Sequence, residues 1–96
     1  MKFILLGTLS EGWAGKQAER VNKARDKLKQ LGITLDSVYY TQGRYDFIDT
    51  VEAVDAEAVL AFSLWYANAG LGRIETLPAF DMTAFQRVAR RALKKK

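Results

Sequence analysis

Residues 33–53 read Ile-Thr-Leu-Asp-Ser-Val-Tyr-Tyr-Thr-Gln-Gly-Arg-Tyr-Asp-Phe-Ile-Asp-Thr-Val-Glu-Ala, two runs rich in β-branched and aromatic residues around a glycine. Such residues favour strands, and the glycine marks the turn between them, so Ile33 to Thr41 and Tyr45 to Ala53 are expected to form a hairpin. Working outward, Val21, Ala24, Leu28 and Leu31 recur at helical spacing, which predicts a helix from about Trp13 to Leu31, closed by Gly32. Before it, Phe3-Ile4-Leu5-Leu6 is a continuous apolar run, the pattern of a strand buried on both faces. After the hairpin, Asp55 is a good N-cap for a helix from Ala56 to about Asn68, and Arg73 to Phe80 reads as a fourth strand. Thr83 with Gln86 reads as a capping box for a last helix through Leu93.

The order β-α-β-β-α-β plus a terminal helix is that of a ferredoxin-like α+β fold. It has a four-stranded antiparallel sheet, two helices on one face and an extra C-terminal helix. The 96 residues form one domain, 1–96, with no room for a second core and with the chain expected to be compact from Met1 to about Leu93. Two helices cover one sheet face only, yet strand one is apolar on both. Tyr39 and Tyr40 point to opposite faces, as do Phe47 and Ile48. The uncovered face therefore calls for a second sheet, and the expected assembly is a homodimer or higher homo-oligomer.

The composition excludes much chemistry. With no cysteine and no histidine, disulfides, thiolate zinc sites, iron–sulfur clusters, cysteine nucleophiles and imidazole acid–base catalysis are all ruled out. No metal site and no cofactor is implied, since no EF-hand spacing occurs and Gly70-x-Gly72 lacks the context of a nucleotide loop. No stretch approaches the ~20 apolar residues of a membrane span, and the expected setting is cytoplasmic. The net charge of +4 is unevenly spread. Residues 30–82 carry two basic and eight acidic groups, while helix one and the segment from Thr83 onward, with Arg87, Arg90, Arg91 and Lys94 to Lys96, are basic. A basic helix can bind phosphates nonspecifically, but no aromatic residue interleaves with these charges. Nucleic acid is thus the weaker expectation beside solvated helix faces.

Carboxylates, tyrosines and lysines remain as acid–base groups. Asp46, Asp49 and Glu52 fall within seven residues of strand three. By alternation Asp46, Ile48, Thr50 and Glu52 share one face, and Tyr45, Phe47, Asp49 and Val51 the other. A carboxylate facing an apolar barrel would hold its proton more tightly and act as a base on a small acidic substrate. Either Asp49 or the Asp46/Glu52 pair is that group, depending on which face looks into the barrel. Structural roles compete: Asp46 is placed to accept from backbone amides at the hairpin, and Glu52 to pair with Arg44 or Arg73. Tyr39, Tyr40, Tyr45 and Tyr66, with Trp13, Trp65 and Arg44, are candidates to line a pocket for a small hydrophobic or aromatic ligand, with packing the competing role. Gly43 is expected to supply a positive φ in the turn.

The segment Tyr40-x-x-Gly43-x-Tyr45-Asp46, followed by Phe47-Ile48, Val51-Glu52-Ala53 and Asp55, resembles the GYD-domain family, as does Leu77-x-Ala79-Phe80. Its motif residues here are Gly43, Tyr45 and Asp46, and the resemblance covers about residues 1–93. It implies a ferredoxin-like fold of the dimeric α/β-barrel type, in which two sheets pack together. By fold, relatives include cofactor-free monooxygenases, isomerases of small lactones, haem-using enzymes and plain stress-response proteins, so function is open between a small-molecule binder and a cofactor-independent enzyme. The enzyme reading requires a barrel-side cavity holding Asp46, Asp49 or Glu52 beside Tyr39, Tyr40 or Tyr45. The chain departs from the family at Asp49-Thr50, where aliphatic residues are usual, and at Pro78, where a polar residue is common.

Overall fold

The computed structural model describes residues 1–94. Its elements are β1 (Lys2–Leu9), α1 (Gln17–Gln30), β2 (Thr34–Tyr40), β3 (Phe47–Glu52), α2 (Ala56–Asn68), β4 (Gly72–Ala79) and α3 (Met82–Ala92). The four strands form one antiparallel sheet in the order β2-β3-β1-β4, the ferredoxin-like arrangement. Three boundaries differ from the sequence reading. Residues Ala14–Lys16 make a 3-10 turn ahead of α1, and β3 begins at Phe47 because Tyr45 and Asp46 belong to the turn. Asp81, not Thr83, caps α3: its carboxylate accepts from the Ala84 amide at 2.8 Å. Asp55 caps α2 in the expected way, accepting from Ala58 at 3.0 Å.

Cross-strand rows show which side chains share a face. Leu35–Val51–Phe3, Val38–Asp49–Leu5 and Tyr40–Phe47–Gly7–Ile74 run side by side across the sheet. These rows face the helices, since Phe3, Leu5, Phe47 and Val51 join Leu28 of α1 and Val59, Phe62 and Tyr66 of α2 in one buried core. A bulge between Leu35 and Ser37 gives β2 an extra residue, which brings Val38 and Tyr40 round to the same side as Leu35. The opposite face carries Ile4, Leu6, Ile48 and Thr50, with Tyr39 and Leu77 exposed, and no helix of the described residues is packed on it.

Tight approach fixes the middle of the sheet. Phe47 lays its ring across β1 at Gly7, where any Cβ would collide with it, and meets Tyr66 edge-on with centroids 6.0 Å apart. The hairpin is tied beside this point. The Asp46 amide donates to Gly7 O at 2.7 Å, its carboxylate accepts from Leu9 N at 2.7 Å, and Thr41 N donates to Asp46 O at 2.9 Å. Gly43 does not take a positive φ, contrary to expectation, and open space surrounds it.

The chain is not compact to Leu93. Its radius of gyration is 15.5 Å, against about 12–13 Å expected for a compact chain of this length. The reason is α3, which buries none of its residues and leaves Met82, Phe85 and Val88 exposed on one stripe. It projects from the sheet end formed by Met1, Lys2 and Pro78.

The two glycines should respond differently to substitution. Gly7→Ala overpacks the Phe47 contact and should cost about 1–3 kcal/mol, whereas Gly43→Ala should stay within about 0.5 kcal/mol of the native chain. Urea unfolding of both variants checks this; equal losses would show that Phe47 is free to move aside.

Candidate functional site

A cavity of about 270 Å³ lies between α1 and the helix-facing side of the sheet. Helix α1 contributes Arg20, Ala24 and Leu28 to it, β2 contributes Tyr40, β3 Phe47 and Asp49, and α2 Tyr66. The spacing of Arg20, Ala24 and Leu28, four apart, places all three on the inner face of α1. Phe62 and Tyr66 share a face of α2 for the same reason.

Three side-chain atoms of this cavity are buried without a hydrogen-bond partner. Arg20 is only 5% exposed and Tyr66 only 1%. Arg20 Nε, Asp49 Oδ1 and Tyr66 Oη are buried without a hydrogen bond, and they are the three such side-chain atoms among the described residues. Each unmet group costs about 1–3 kcal/mol, so three in one place require an explanation. Arg20 has no carboxylate within ion-pair distance among the described residues. Its guanidinium lies 5.7 Å from the ring centroid of Tyr40, a cation–π arrangement.

Electrostatics set the protonation states. Burial in the apolar row between Val38 and Leu5 pushes the Asp49 carboxyl up from 3.8 to about 7, and the nearby Arg20 charge only partly opposes this. Burial also pushes the Tyr66 phenol up, with Arg20 opposing, so Tyr66 is a neutral hydroxyl. The cavity thus presents a fixed cation, a hydroxyl and a carboxyl that titrates near neutrality.

The residues singled out in the sequence separate. Asp49 and Tyr40 come together in the cavity. Tyr39 points to the open face and is 68% exposed. Tyr45 donates to Glu75 Oε1 at 2.9 Å, a bond that raises its phenol pKa, and Arg44 is exposed in the turn. Asp46 is spent on the Leu9 amide. Glu52 pairs with the N-terminal amine at 3.3 Å and Lys2 at 3.4 Å, not with Arg44 or Arg73. The Asp49 cavity is on the helix side of the sheet, not on the barrel side. Tyr66, one of the tyrosines expected to line a pocket, does line this cavity, whereas Arg20 is distinguished in the sequence only by its four-residue spacing with Ala24 and Leu28.

The other cations are placed differently. Lys16 and Lys23 lie over the Trp13 ring at 5.2 and 5.3 Å, and Lys27 over Trp65 at 6.0 Å, so both indoles are covered by lysines. Lys95 and Lys96 fall outside the described residues. No cluster of three or more metal-ligating side chains occurs among the described residues, and none of their helices is long and apolar enough to cross a membrane.

Fold and site together define a ferredoxin-like α+β domain with a cavity under its first helix. The chain belongs to the GYD domain family, whose match spans residues 3–89. A Thermus thermophilus protein named glutamine synthetase and cystathionine beta-lyase binding protein is 33% identical over 89 residues, which are 85% of this chain and 94% of that protein. The fold is similar to that of 5-chloro-2-hydroxyhydroquinone dehydrochlorinase from Burkholderia phenoliruptrix, solved with 2,5-dihydroxybenzoquinone. That likeness has a TM-score of 0.61 at 15% identity over 86% of this chain and 97% of the other.

Asp49 makes stability depend on pH. The folded chain keeps this proton up to about pH 7, while an unfolded carboxyl releases it near 3.8. Folding therefore takes up a proton in that window, and stability falls as pH rises through it. Asp49→Asn removes the effect, so its melting temperature should gain on the native chain between pH 5 and pH 8. A constant difference across that range would mean that Asp49 ionises freely.

Proposed function

We propose that this chain binds a small aromatic or enolic molecule in the cavity between α1 and the sheet, and that two copies pair through their open sheet faces into an α/β barrel. The observation that carries the binding reading is the convergence of Arg20 Nε, Asp49 Oδ1 and Tyr66 Oη, unpartnered atoms from three different elements. A ligand with a polar edge would satisfy them, while Leu28, Phe47 and Phe62 supply apolar walls. Pairing is supported by Ile4, Leu6, Ile48, Tyr39 and Leu77 on a face that no element of the described residues covers. The relative's name, that of a protein binding two enzymes, agrees with a binding role rather than with turnover. The cysteine-free sequence fits a reducing, cytoplasmic setting.

A second reading, a cofactor-independent enzyme, is favoured by one feature. A carboxyl poised near pH 7 beside a fixed cation suits a general base that removes a proton from an enolisable carbon, with Arg20 holding the developing oxyanion. Such an enzyme would catalyse deuterium exchange at the α-carbon of a cyclic β-diketone, and Asp49→Asn would slow it by about a hundredfold or more. Exchange at the uncatalysed rate in the native protein removes this reading.

Thermal unfolding with 2,5-dihydroxybenzoquinone and a panel of one-ring phenols, acids and amides tests the binding reading. At about a hundred times its Kd a true ligand adds about 2.7 kcal/mol of stability. Ala24→Phe, which fills the cavity, should abolish that gain. A panel without any saturable binder would overturn the proposal. Sedimentation equilibrium should show a dimer at micromolar concentration, and Ile48→Arg on the open face should weaken it by about thirtyfold or more. A native chain that stays monomeric would leave the pairing without support.

A further inference from the structure

We propose that the cavity under α1 is an anion site, selective for a compact planar ring that bears a carboxylate or phenolate oxygen, with Arg20 as the residue that selects the charge. This rests on the binding reading above and names the ligand class that the same cavity would take.

Three observations lead there. The first is Arg20 itself. An arginine this buried is nearly always paired, because a lone cation inside a protein is costly. Here 5% exposure coincides with no ion pair and an unpartnered Nε, and the phenols of Tyr40 and Tyr66 are its polar neighbours. A planar guanidinium with free donors is matched by a carboxylate or phenolate oxygen, not by a neutral hydrocarbon. The second is size. A cavity of about 150 Å³ holds benzene, so about 270 Å³ takes one substituted ring or a small fused pair. The third is the company Arg20 keeps. Phe47, Phe62 and Leu28 leave flat apolar walls, and Tyr66 Oη adds a second unpartnered donor close to Arg20.

Asp49 determines how strongly this charge is felt. The titratable and charged groups facing Asp49 are Arg20 and Arg25 of α1, Tyr40 of β2 and Tyr66 of α2, while β1 presents only Leu5 beside it. With its proton on, Asp49 is a neutral donor and the cavity carries the Arg20 charge uncancelled. With its proton off, it competes with the ligand for Arg20. Binding of an anion therefore favours the protonated carboxyl, and above about pH 7 it should draw a proton from solution. The outer arginine, Arg25, adds attraction at the mouth without being buried.

Benzoate and benzamide, which share a shape and differ in charge, make the test. By isothermal titration at pH 6, the native chain should bind benzoate about tenfold or more tighter than benzamide. Benzoate affinity should fall as pH rises above about 7, with proton uptake visible as a dependence of the heat on buffer, while benzamide affinity stays level. Arg20→Gln should erase the preference for benzoate, and Asp49→Asn should keep it but flatten the pH profile. Equal or tighter benzamide binding by the native chain overturns the inference, whether or not either variant folds. So does a preference that survives Arg20→Gln. Should benzoate fail while neutral members of the panel bind, the anion inference falls and the binding reading stands. Failure of every compound sinks both.

Discussion

The ring of Phe47 lying over Gly7 is the contact from which the rest of the structure is set out. It is possible only because β1 has no side chain at that point, and it brings β3 and β1 together on the helix side. From there Phe47 meets Tyr66 edge-on, which in turn holds Phe62 and Trp65 of α2 in an aromatic cluster with centroids 5.8 to 6.2 Å apart. Aromatic rings in such geometry add about 0.5–1.5 kcal/mol each beyond their buried area. The same cluster forms one wall of the cavity, so the packing that stabilises the sheet also decides where the Tyr66 hydroxyl ends. The GYD motif serves this arrangement. Asp46 clamps Gly7 and Leu9 from the turn, and so holds β1 where Phe47 can cross it.

Charge in this protein has two separate roles. Lys16 of the 3-10 turn and Lys23 and Lys27 of α1 hold their ammonium groups over the Trp13 and Trp65 rings, a cation–π arrangement. The cations of α3 crowd its last turn, where they complement the helix dipole. Arg20 belongs to neither group. It is the one buried polar or charged residue in the chain's described part, and the acidic strand that faces it offers a single carboxyl that burial keeps largely protonated below pH 7. The basic pI is a property of helix surfaces, whereas the site holds one internal cation.

Much of this was legible from residue types. The strand and helix order followed from apolar spacing and from Asp55 and the glycines, and alternation correctly set Asp49 and Phe47 against Ile48 and Thr50. What alternation could not give was the side on which the helices pack, because β1 is apolar on both faces. That one ambiguity left three strand-three carboxylates as equal candidates. The bulge at Asp36 was invisible for a related reason, since a single extra residue changes no composition but turns Val38 and Tyr40 to the inner face. Arg20 was hidden among six basic residues of helix one, and only its four-residue spacing with Ala24 and Leu28 distinguished it. Asp49 stood out as a departure from the aliphatic residues usual at its place, and the departure is where the cavity has its titrating group. The last helix was read with its cap two residues late, since Asp81 and Thr83 are both good capping residues and only the backbone chooses between them.

The separation of Arg20 from Asp49 distinguishes a site from a strut. A structural pair in a core closes into contact, because two buried charges apart each lose solvation without gaining attraction. Here the carboxyl escapes that loss by keeping its proton, and the buried guanidinium lies in the cavity lining beside the Tyr40 ring. Replacing Asp49 with an aliphatic residue, as the rest of its cross-strand row would suggest, would pack the sheet better and relieve the titration. Retaining a carboxyl, an arginine and a phenol with unmet hydrogen bonds around one cavity destabilises the folded chain. In the proposed binding reading a bound molecule supplies the missing partners, and a single anionic oxygen reaching Arg20 supplies the most valuable of them.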